Sequence, residues 1–115
     1  MIQKPQVSDK ERNFINDGIR KMRKTGRFDD ANTQLNRVIA AASGADWHSL
    51  RDLEKLLAQM FPGEGDTQTA ISARLREISP LGHGLVKQVR TAHNDESGKT
   101  TWFYRLVPSR SKVRP

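Results

Sequence analysis

The fold of this chain is decided by residues 66–108, which read DTQTAISARLREISPLGHGLVKQVRTAHNDESGKTTWFYRLVP. Ile71, Leu75 and Ile78 recur at i, i+4 and i+7, and this spacing predicts a helix with one buried stripe. The opposite side of that helix is small and polar, and it consists of Thr69, Ser72, Ala73 and Arg76. Such a face suits a helix that enters a nucleic-acid groove, because bulky side chains would hold the helix away from the base edges.

The second half of the same stretch predicts a β-hairpin. Residues 85–91 and 101–107 are rich in the β-branched and aromatic types that favour strands, and residues 92–100 between them are expected to form a mobile polar loop. Trp102, Tyr104 and Leu106 alternate along the second strand. We therefore expect these three side chains to close the core and Phe103 to lie on the outer face.

Two amphipathic helices are predicted before this stretch. The first runs from Thr33 to Ser43 and Gly44, with apolar residues at helical spacing: Leu35, Val38, Ile39 and Ala42. After a short extended piece at 45–48, Ser49 and Asp52 have the spacing of a capping box. The second helix then repeats the apolar pattern with Leu53, Leu56, Leu57 and Met60.

This order of elements predicts an α+β fold, mainly α: a three-helix winged helix-turn-helix with a C-terminal β-hairpin wing and an extra N-terminal helical arm. The winged-helix domain is assigned to residues 32–108. Residues 1–31 form a basic, partly helical arm, and residues 109–115 form a basic tail that we expect to be disordered.

The N-terminal arm allows two interpretations. Ser8 and Glu11 have capping-box spacing, and an apolar stripe follows, formed by Phe14, Ile15, Ile19 and Met22. The stripe can dock a peripheral helix on the main domain. Alternatively, the basic residues beside it can make the segment an arm that folds on DNA or on a protein.

The charge of the chain suggests a polyanionic partner. The formal net charge is +7 and the isoelectric point is near 10.3. The net charge is +3 over residues 1–31, −1 over 32–98 and +5 over 99–115. The excess therefore lies at the two ends of the chain, where basic segments commonly bind phosphates without sequence preference.

Several function classes are not favoured by the sequence. The absence of cysteine removes disulfides, thiol catalysis and cysteine-rich zinc sites. The run from Ser97 to Thr100 is not a phosphate-binding loop, because His93 stands where that motif needs glycine and the context is a hairpin tip.

The histidines have no converging ligands, so we expect no metal, no cofactor and no enzymatic activity. No apolar run could span a bilayer and the N-terminus has no signal-peptide core, so a cytoplasmic location is expected.

Four runs of residues resemble small winged-helix proteins of bacteriophages and prophages. They are QLNRV at 34–38, LRDL at 50–53, AISARLREI at 70–78 and WFYRL at 102–106. The resemblance covers about residues 33–107. It implies a DNA-binding regulator or accessory factor that acts in a bacterial host. The loop at 61–66 is longer and more acidic than the family's tight turn, and its Glu64 and Asp66 would repel phosphates.

The DNA-binding hypothesis names twelve contact residues on double-stranded DNA. In the third helix of the domain, Arg74 and Arg76 would contact guanine or phosphate, with shorter contacts from Thr67, Gln68, Thr69 and Ser72. Around the wing and in the tail, phosphate contacts are predicted for Arg90, Lys99, Arg105, Arg110, Lys112 and Arg114.

A second hypothesis is a protein-interaction module that binds or inhibits a host or phage protein. It is favoured by the near-neutral central domain, and by Glu64 and Asp66, which could face a basic partner. In that case Arg74 and Arg76 are ordinary surface arginines, with Arg74 pairing with Glu77 or Asp66. A homodimer, in which the N-terminal helix is exchanged between chains, is also compatible with the sequence.

Overall fold

The computed structural model describes residues 4–24 and 33–109. In that part of the chain the elements are, in order, α1 Asp9–Lys24, α2 Gln34–Ala42, α3 Leu50–Met60, α4 Gln68–Glu77, α5 Pro80–His83, β1 Leu85–Asn94 and β2 Lys99–Pro108. The predicted α+β class is confirmed. Within these residues no helix is long and apolar enough to cross a membrane.

Hydrogen bonds to capping side chains define where α2, α3 and α4 begin. The Thr33 hydroxyl accepts the backbone N–H three residues on, at 3.1 Å, and starts α2. Ser49 and Asp52 form the predicted reciprocal capping box of α3, with N···O distances of 3.1 and 3.0 Å. Thr67 caps α4. Each cap satisfies a backbone N–H that has no partner inside its helix, which is worth about 1 kcal/mol.

Helices α2, α3 and α4 pack against one another around a single apolar core. Their largest fully buried side chains are Val38, Leu53, Leu57, Ile71 and Leu75, and the hairpin adds Leu85 and Leu106. Each such side chain contributes roughly 1.5–3 kcal/mol on burial. The hairpin is therefore part of the core and not an appendage to it.

The hairpin is longer than predicted. Strands β1 and β2 pair antiparallel without a break from Leu85↔Pro108 to Asn94↔Lys99. The predicted mobile loop at 92–100 is wrong, because only residues 95–98 lie outside the ladder. The Asn94 side chain accepts N–H groups of the turn, and Gly98, at φ +72°, donates to the Asn94 carbonyl at 2.8 Å.

The extended piece between α2 and α3 pairs with the other edge of β2. Gly44 donates to the Leu106 carbonyl at 2.9 Å, while His48 and Tyr104 exchange two backbone hydrogen bonds of 2.9 and 2.7 Å. Strand β2 thus lies between β1 and this short segment. These bonds fix the hairpin against the start of α3.

Strand β2 is buried on both faces near its end. Leu106 lies in the core as predicted, but Trp102 is 55% exposed and Phe103 only 3% exposed, so the prediction for these two residues is wrong. Phe103 shares its face with Arg105 and Val107, and α1 packs on this face at those two residues. The opposite face is covered by helices only at its Leu106 end.

Helix α1 adopts the docked arrangement of the two that the sequence allows. Ile15 and Ile19 are buried in the same cluster as Val107. The approach is close at Gly18, where an added Cβ would lie 2.7 Å from Pro108 Cγ. Glycine is therefore required at this position by space, although it weakens a helix.

Replacing Gly18 by alanine is expected to destabilise the protein. Alanine favours a helix by about 1 kcal/mol, but the clash with Pro108 costs roughly 1–3 kcal/mol, so we expect a net loss of stability. Thermal unfolding followed by circular dichroism tests this. Asn13→Ala, at an exposed site of α1, is the matched control and should leave the melting temperature unchanged or slightly raised. A Gly18→Ala variant more stable than wild type would contradict the close approach.

Candidate nucleic-acid interface

Helix α4 presents the polar face that the sequence predicts. Ile71 and Leu75 are fully buried, at 0% and 2% exposure, whereas Thr69 and Arg76 are exposed and Ser72 is half-buried. The Arg76 guanidinium reaches the Ser72 hydroxyl at 3.5 Å, the outer limit of a hydrogen bond. The predicted division of α4 into a buried and an accessible side is confirmed.

Two predicted contact residues at the start of α4 have structural partners. The Thr67 hydroxyl accepts the Ala70 N–H at 3.2 Å as the helix cap, but its proton can still be donated outward. The Gln68 amide donates to Glu54 Oε1 at 2.9 Å. Both residues are exposed. Gln68 would have to leave Glu54 in order to read an adenine edge.

The two arginines of α4 have different surroundings. Arg74 forms an ion pair with Glu77 at 2.8 Å, and its Nε is buried without a hydrogen bond. Arg76 lies on the exposed side of the helix. The charge that α4 offers to a ligand is therefore carried mainly by Arg76.

The acidic residue before α4 is turned inward. Asp66 has a side-chain exposure of only 2%, and Arg37 binds it through two hydrogen bonds, Nε to Oδ2 at 3.1 Å and Nη2 to Oδ1 at 3.0 Å. Gln34 donates a third at 2.8 Å. The hydrogen bonds from Arg37, together with its charge, hold the pKa of Asp66 below its usual range. Asp66 is thus neutralised inside the protein and does not face a ligand, unlike the prediction of phosphate repulsion at this position.

This Arg37–Asp66 pair fixes the position of α4. Arg37 lies in α2, and Asp66 directly precedes Thr67, the cap of α4. Glu64 approaches the same guanidinium at 3.6 Å but remains 51% exposed. The bidentate geometry orients the loop as well as binding it. Sequence reasoning missed Arg37; the only signal was its place beside Val38 and Ile39 in an otherwise apolar helix.

The predicted phosphate contact at Arg105 is wrong. Arg105 is 4% exposed and donates to Gln88 Oε1 and to the Ala45 carbonyl, each at 2.8 Å. It also forms an ion pair with Glu11 of α1, and its guanidinium lies 4.2 Å from the centre of the Trp47 ring. Because its donors and its ring-stacking face are occupied inside the fold, Arg105 is a structural residue.

The other predicted wing cations are accessible. Arg90 is exposed and lies 5.7 Å from the centre of the Trp47 ring, and Lys99 is exposed where β2 begins. No aspartate or glutamate occurs in β1 or β2, whereas the connecting turn carries Asp95 and Glu96. The basic character of the hairpin therefore belongs to its strands and not to its tip. The predicted tail contacts Arg110, Lys112 and Arg114 lie outside the described residues.

The structure carries the predicted contacts on two separate parts of the molecule. Helix α4 packs on α2 and α3, whereas β2 packs on α1, α2 and α3.

The short helix α5, which joins α4 to β1, was not predicted from the sequence. Its signals were present, since Ser79 is its cap and Pro80 lies in its first turn. Over residues 4–24 and 33–109, no group of three or more His, Cys, Asp or Glu is placed to hold a metal ion.

A comparison of the chain with models of protein families, with curated proteins and with solved structures finds no match. The function therefore has to be inferred from the residues and their geometry.

Replacing Asp66 by asparagine is expected to destabilise the fold by roughly 2 kcal/mol near neutral pH, because Arg37 loses its charged partner in a buried position. Asp95→Asn, at a turn residue whose side chain is 99% exposed, is the matched control and should have little effect. Chemical denaturation of the two variants and of wild type measures the difference.

The effect of Asp66→Asn should also depend on pH. The pKa of Asp66 is depressed in the folded state, so its stabilising effect is present above the unfolded pKa of about 3.9 and is lost as the pH falls through the folded pKa. The stability difference between wild type and Asp66→Asn should therefore shrink on strong acidification. A difference that stays constant with pH, or is absent near neutrality, would contradict the ion-pair role.

Proposed function

We propose that this protein is a winged-helix DNA-binding protein of phage or prophage type, a regulator or accessory factor without catalytic activity. In this proposal α4 is the recognition helix and the β1–β2 hairpin is the wing. The order α2, extended segment, α3, α4, hairpin supports the assignment, because it is the order of elements in a winged helix. The partner is double-stranded DNA.

The observation that carries the proposal is the accessible face of α4. Thr69, Ser72 and Arg76 share one side of the helix, and the side chains along it are short except for the guanidinium. Hydroxyl groups and a guanidinium are suited to base edges and phosphates in a major groove. Ile71 and Leu75 anchor the other side of α4 in the core, so the face is held rigidly.

The charge around α4 supports DNA over a basic protein partner. The protein-interaction hypothesis depended on Glu64 and Asp66 as an acidic surface, but Asp66 is bound to Arg37 and Gln34 inside the structure. Glu64 alone remains exposed. Of the two acidic residues on which that hypothesis depended, one is therefore available, and it lies 3.6 Å from Arg37. Glu54 and Glu77 also lie beside α4, where they contact Gln68 and Arg74.

Replacing Arg76 by alanine is expected to weaken binding to a preferred duplex by roughly tenfold, because a guanine contact by arginine is worth about 1–3 kcal/mol. Arg20→Ala in α1 is the matched control: it removes the same charge from an exposed arginine, whose ion pair with Asp17 is also exposed. Fluorescence anisotropy with labelled duplex measures both affinities. Equal affinities of the two variants would contradict the role of α4.

Removing the basic tail tests the phosphate contacts separately. A chain that ends after Ser109 lacks Arg110, Lys112 and Arg114 but keeps Pro108 and Ser109, which pack against Gly18 and hydrogen-bond to Gly84. We expect affinity to fall equally for unrelated duplex sequences. The slope of log K against log salt should decrease in magnitude by as much as about 2.7, or 0.9 per phosphate contact. An unchanged slope would exclude the tail from the interface.

A further inference from the structure

Strand β1 has an open outer edge. Its inner edge pairs with β2 along the whole strand, and among the described residues no other strand or bridge pairs with β1. The far edge of β2, by contrast, is partly covered by the segment that contains Gly44 and His48. Alternate residues of an antiparallel strand direct their N–H and C=O groups outward, so β1 presents a row of main-chain donors and acceptors.

Two common protections of an edge strand are missing from β1. The strand Leu85–Asn94 contains no proline, and its register with β2 is continuous, without a bulge. A third protection is present, because Lys87 and Arg90 place two cations in the strand. These cations oppose pairing with a second copy of β1, since like charges on neighbouring strands repel, but they favour a strand that carries carboxylates.

The two cations lie on opposite faces of the hairpin. The strand pairing places Lys87 beside Leu106 on one face and Arg90 beside Phe103 on the other. A strand added to the edge of a sheet has neighbours on both faces, so both cations lie within reach of its side chains. Neither Lys87 nor Arg90 forms an ion pair with a described residue. Both charges therefore remain available to a carboxylate of an added strand.

A groove lies beside this edge. It runs between α1 and the end of the hairpin, and its volume of about 910 Å³ is enough for several side chains. Gln88, which lies on the same face as Arg90, is the β1 residue that lines it. On the α1 side it is lined by Phe14, which is 62% exposed, and by Lys21. Because side chains alternate along a strand, every second side chain of an added strand would face this groove.

The charge left over in the groove is positive. Its two carboxylates are already paired with arginines, Glu11 with Arg105 and Asp17 with Arg20. Lys21 forms no ion pair with a described residue. The groove and the edge of β1 therefore favour the same kind of partner, one that is extended, acidic and partly apolar.

We propose that the outer edge of β1 binds an extended acidic segment of a partner protein by strand addition. The main chain of the segment pairs with β1, and two carboxylates three residues apart face Lys87 and Arg90. An apolar side chain between them enters the groove beside Phe14. This inference goes beyond the proposed function and does not depend on DNA binding by α4.

The test uses the full chain and a fluorescein-labelled peptide, Thr-Val-Glu-Val-Val-Glu-Val-Thr, in a fluorescence-anisotropy titration. The peptide has two glutamates at the required spacing, and it reads the same in both directions, so it fits parallel and antiparallel addition. We expect saturable binding. A peptide with lysine in place of both glutamates should bind much more weakly. The acidic peptide methylated at every backbone nitrogen keeps its side chains but cannot donate main-chain hydrogen bonds, and should also bind much more weakly.

A double variant tests the two cations of β1. Lys87→Gln combined with Arg90→Gln should weaken binding of the acidic peptide by roughly twofold to thirtyfold, the effect of two opposite-charge pairs between strands. Arg51→Gln combined with Lys55→Gln is the matched control, because it removes two exposed cations of α3. It should bind like wild type. Circular dichroism checks that both double variants are folded, and equal affinities of the two would contradict the inference.

Hydrogen exchange followed by NMR gives a readout that needs no variant. The acidic peptide should slow the exchange of alternate amide hydrogens in residues 85–94, those that point outward from the edge, and should leave α3 unchanged. Protection confined to α1 or α4 would place the peptide elsewhere and overturn the inference.

The outcomes separate this inference from the proposed function. If duplex DNA binds but the acidic peptide does not, or binds no better than its methylated form, strand addition is overturned while the proposed function stands. If the peptide binds as expected and no DNA binds, the reverse holds. If light scattering shows a dimer in which the outward amides of β1 are protected without peptide, a second copy covers the edge and the inference is wrong.

Discussion

The guanidinium of Arg105 is the interaction on which the arrangement of the hairpin depends. It contacts Glu11 of α1, the carbonyl of Ala45, the Trp47 ring and Gln88 of β1. A buried guanidinium without partners costs several kcal/mol, so the N-terminal helix, the extended segment and both strands are stable only together. Glu11 takes part as an anion: the hydrogen bond from Arg105 holds its pKa below the usual value.

A second buried arginine has the same effect on α4. Arg37 binds Asp66 and thereby orients the loop before the helix cap. Two buried arginines, Arg37 and Arg105, are in this way paired with the carboxylates of Asp66 and Glu11, and a third arginine, Arg74, is paired with Glu77. Each pair joins one cation to one anion, so the formal net charge of +7 is unchanged, but fewer cations are placed to contact a ligand. What the described residues offer near α4 and the hairpin is a few separate cations, chiefly Arg76, Arg90 and Lys99.

Local patterns predicted the helices well because their signals are local. Thr33, Ser49 and Asp52 act within three residues of themselves, and the buried stripe of α4 follows from spacing alone. The errors arose where burial depends on distant residues. Alternation along β2 separates two faces but does not tell which one is covered. Helix α1, from the other end of the chain, packs on the face that carries Arg105, and Phe103 on that same face is buried. The phosphate contact predicted for Arg105 was wrong for the same reason, because the sequence does not show that this face of β2 is covered. Residues 92–100 were taken for a loop because polar strands that are solvated on both faces have a loop-like composition.

In the proposed function, the accessible side of α4 is the main binding surface, and Arg90 and Lys99 of the hairpin add phosphate contacts. The most direct measurement is a two-dimensional ¹H–¹⁵N NMR titration with duplex DNA. The account predicts the largest shifts at the amides of Thr69, Ser72 and Arg76, with smaller shifts in the β1–β2 hairpin and little change in α1. Shifts confined to α1, around Phe14 and Lys21, or no shifts at all, would contradict it.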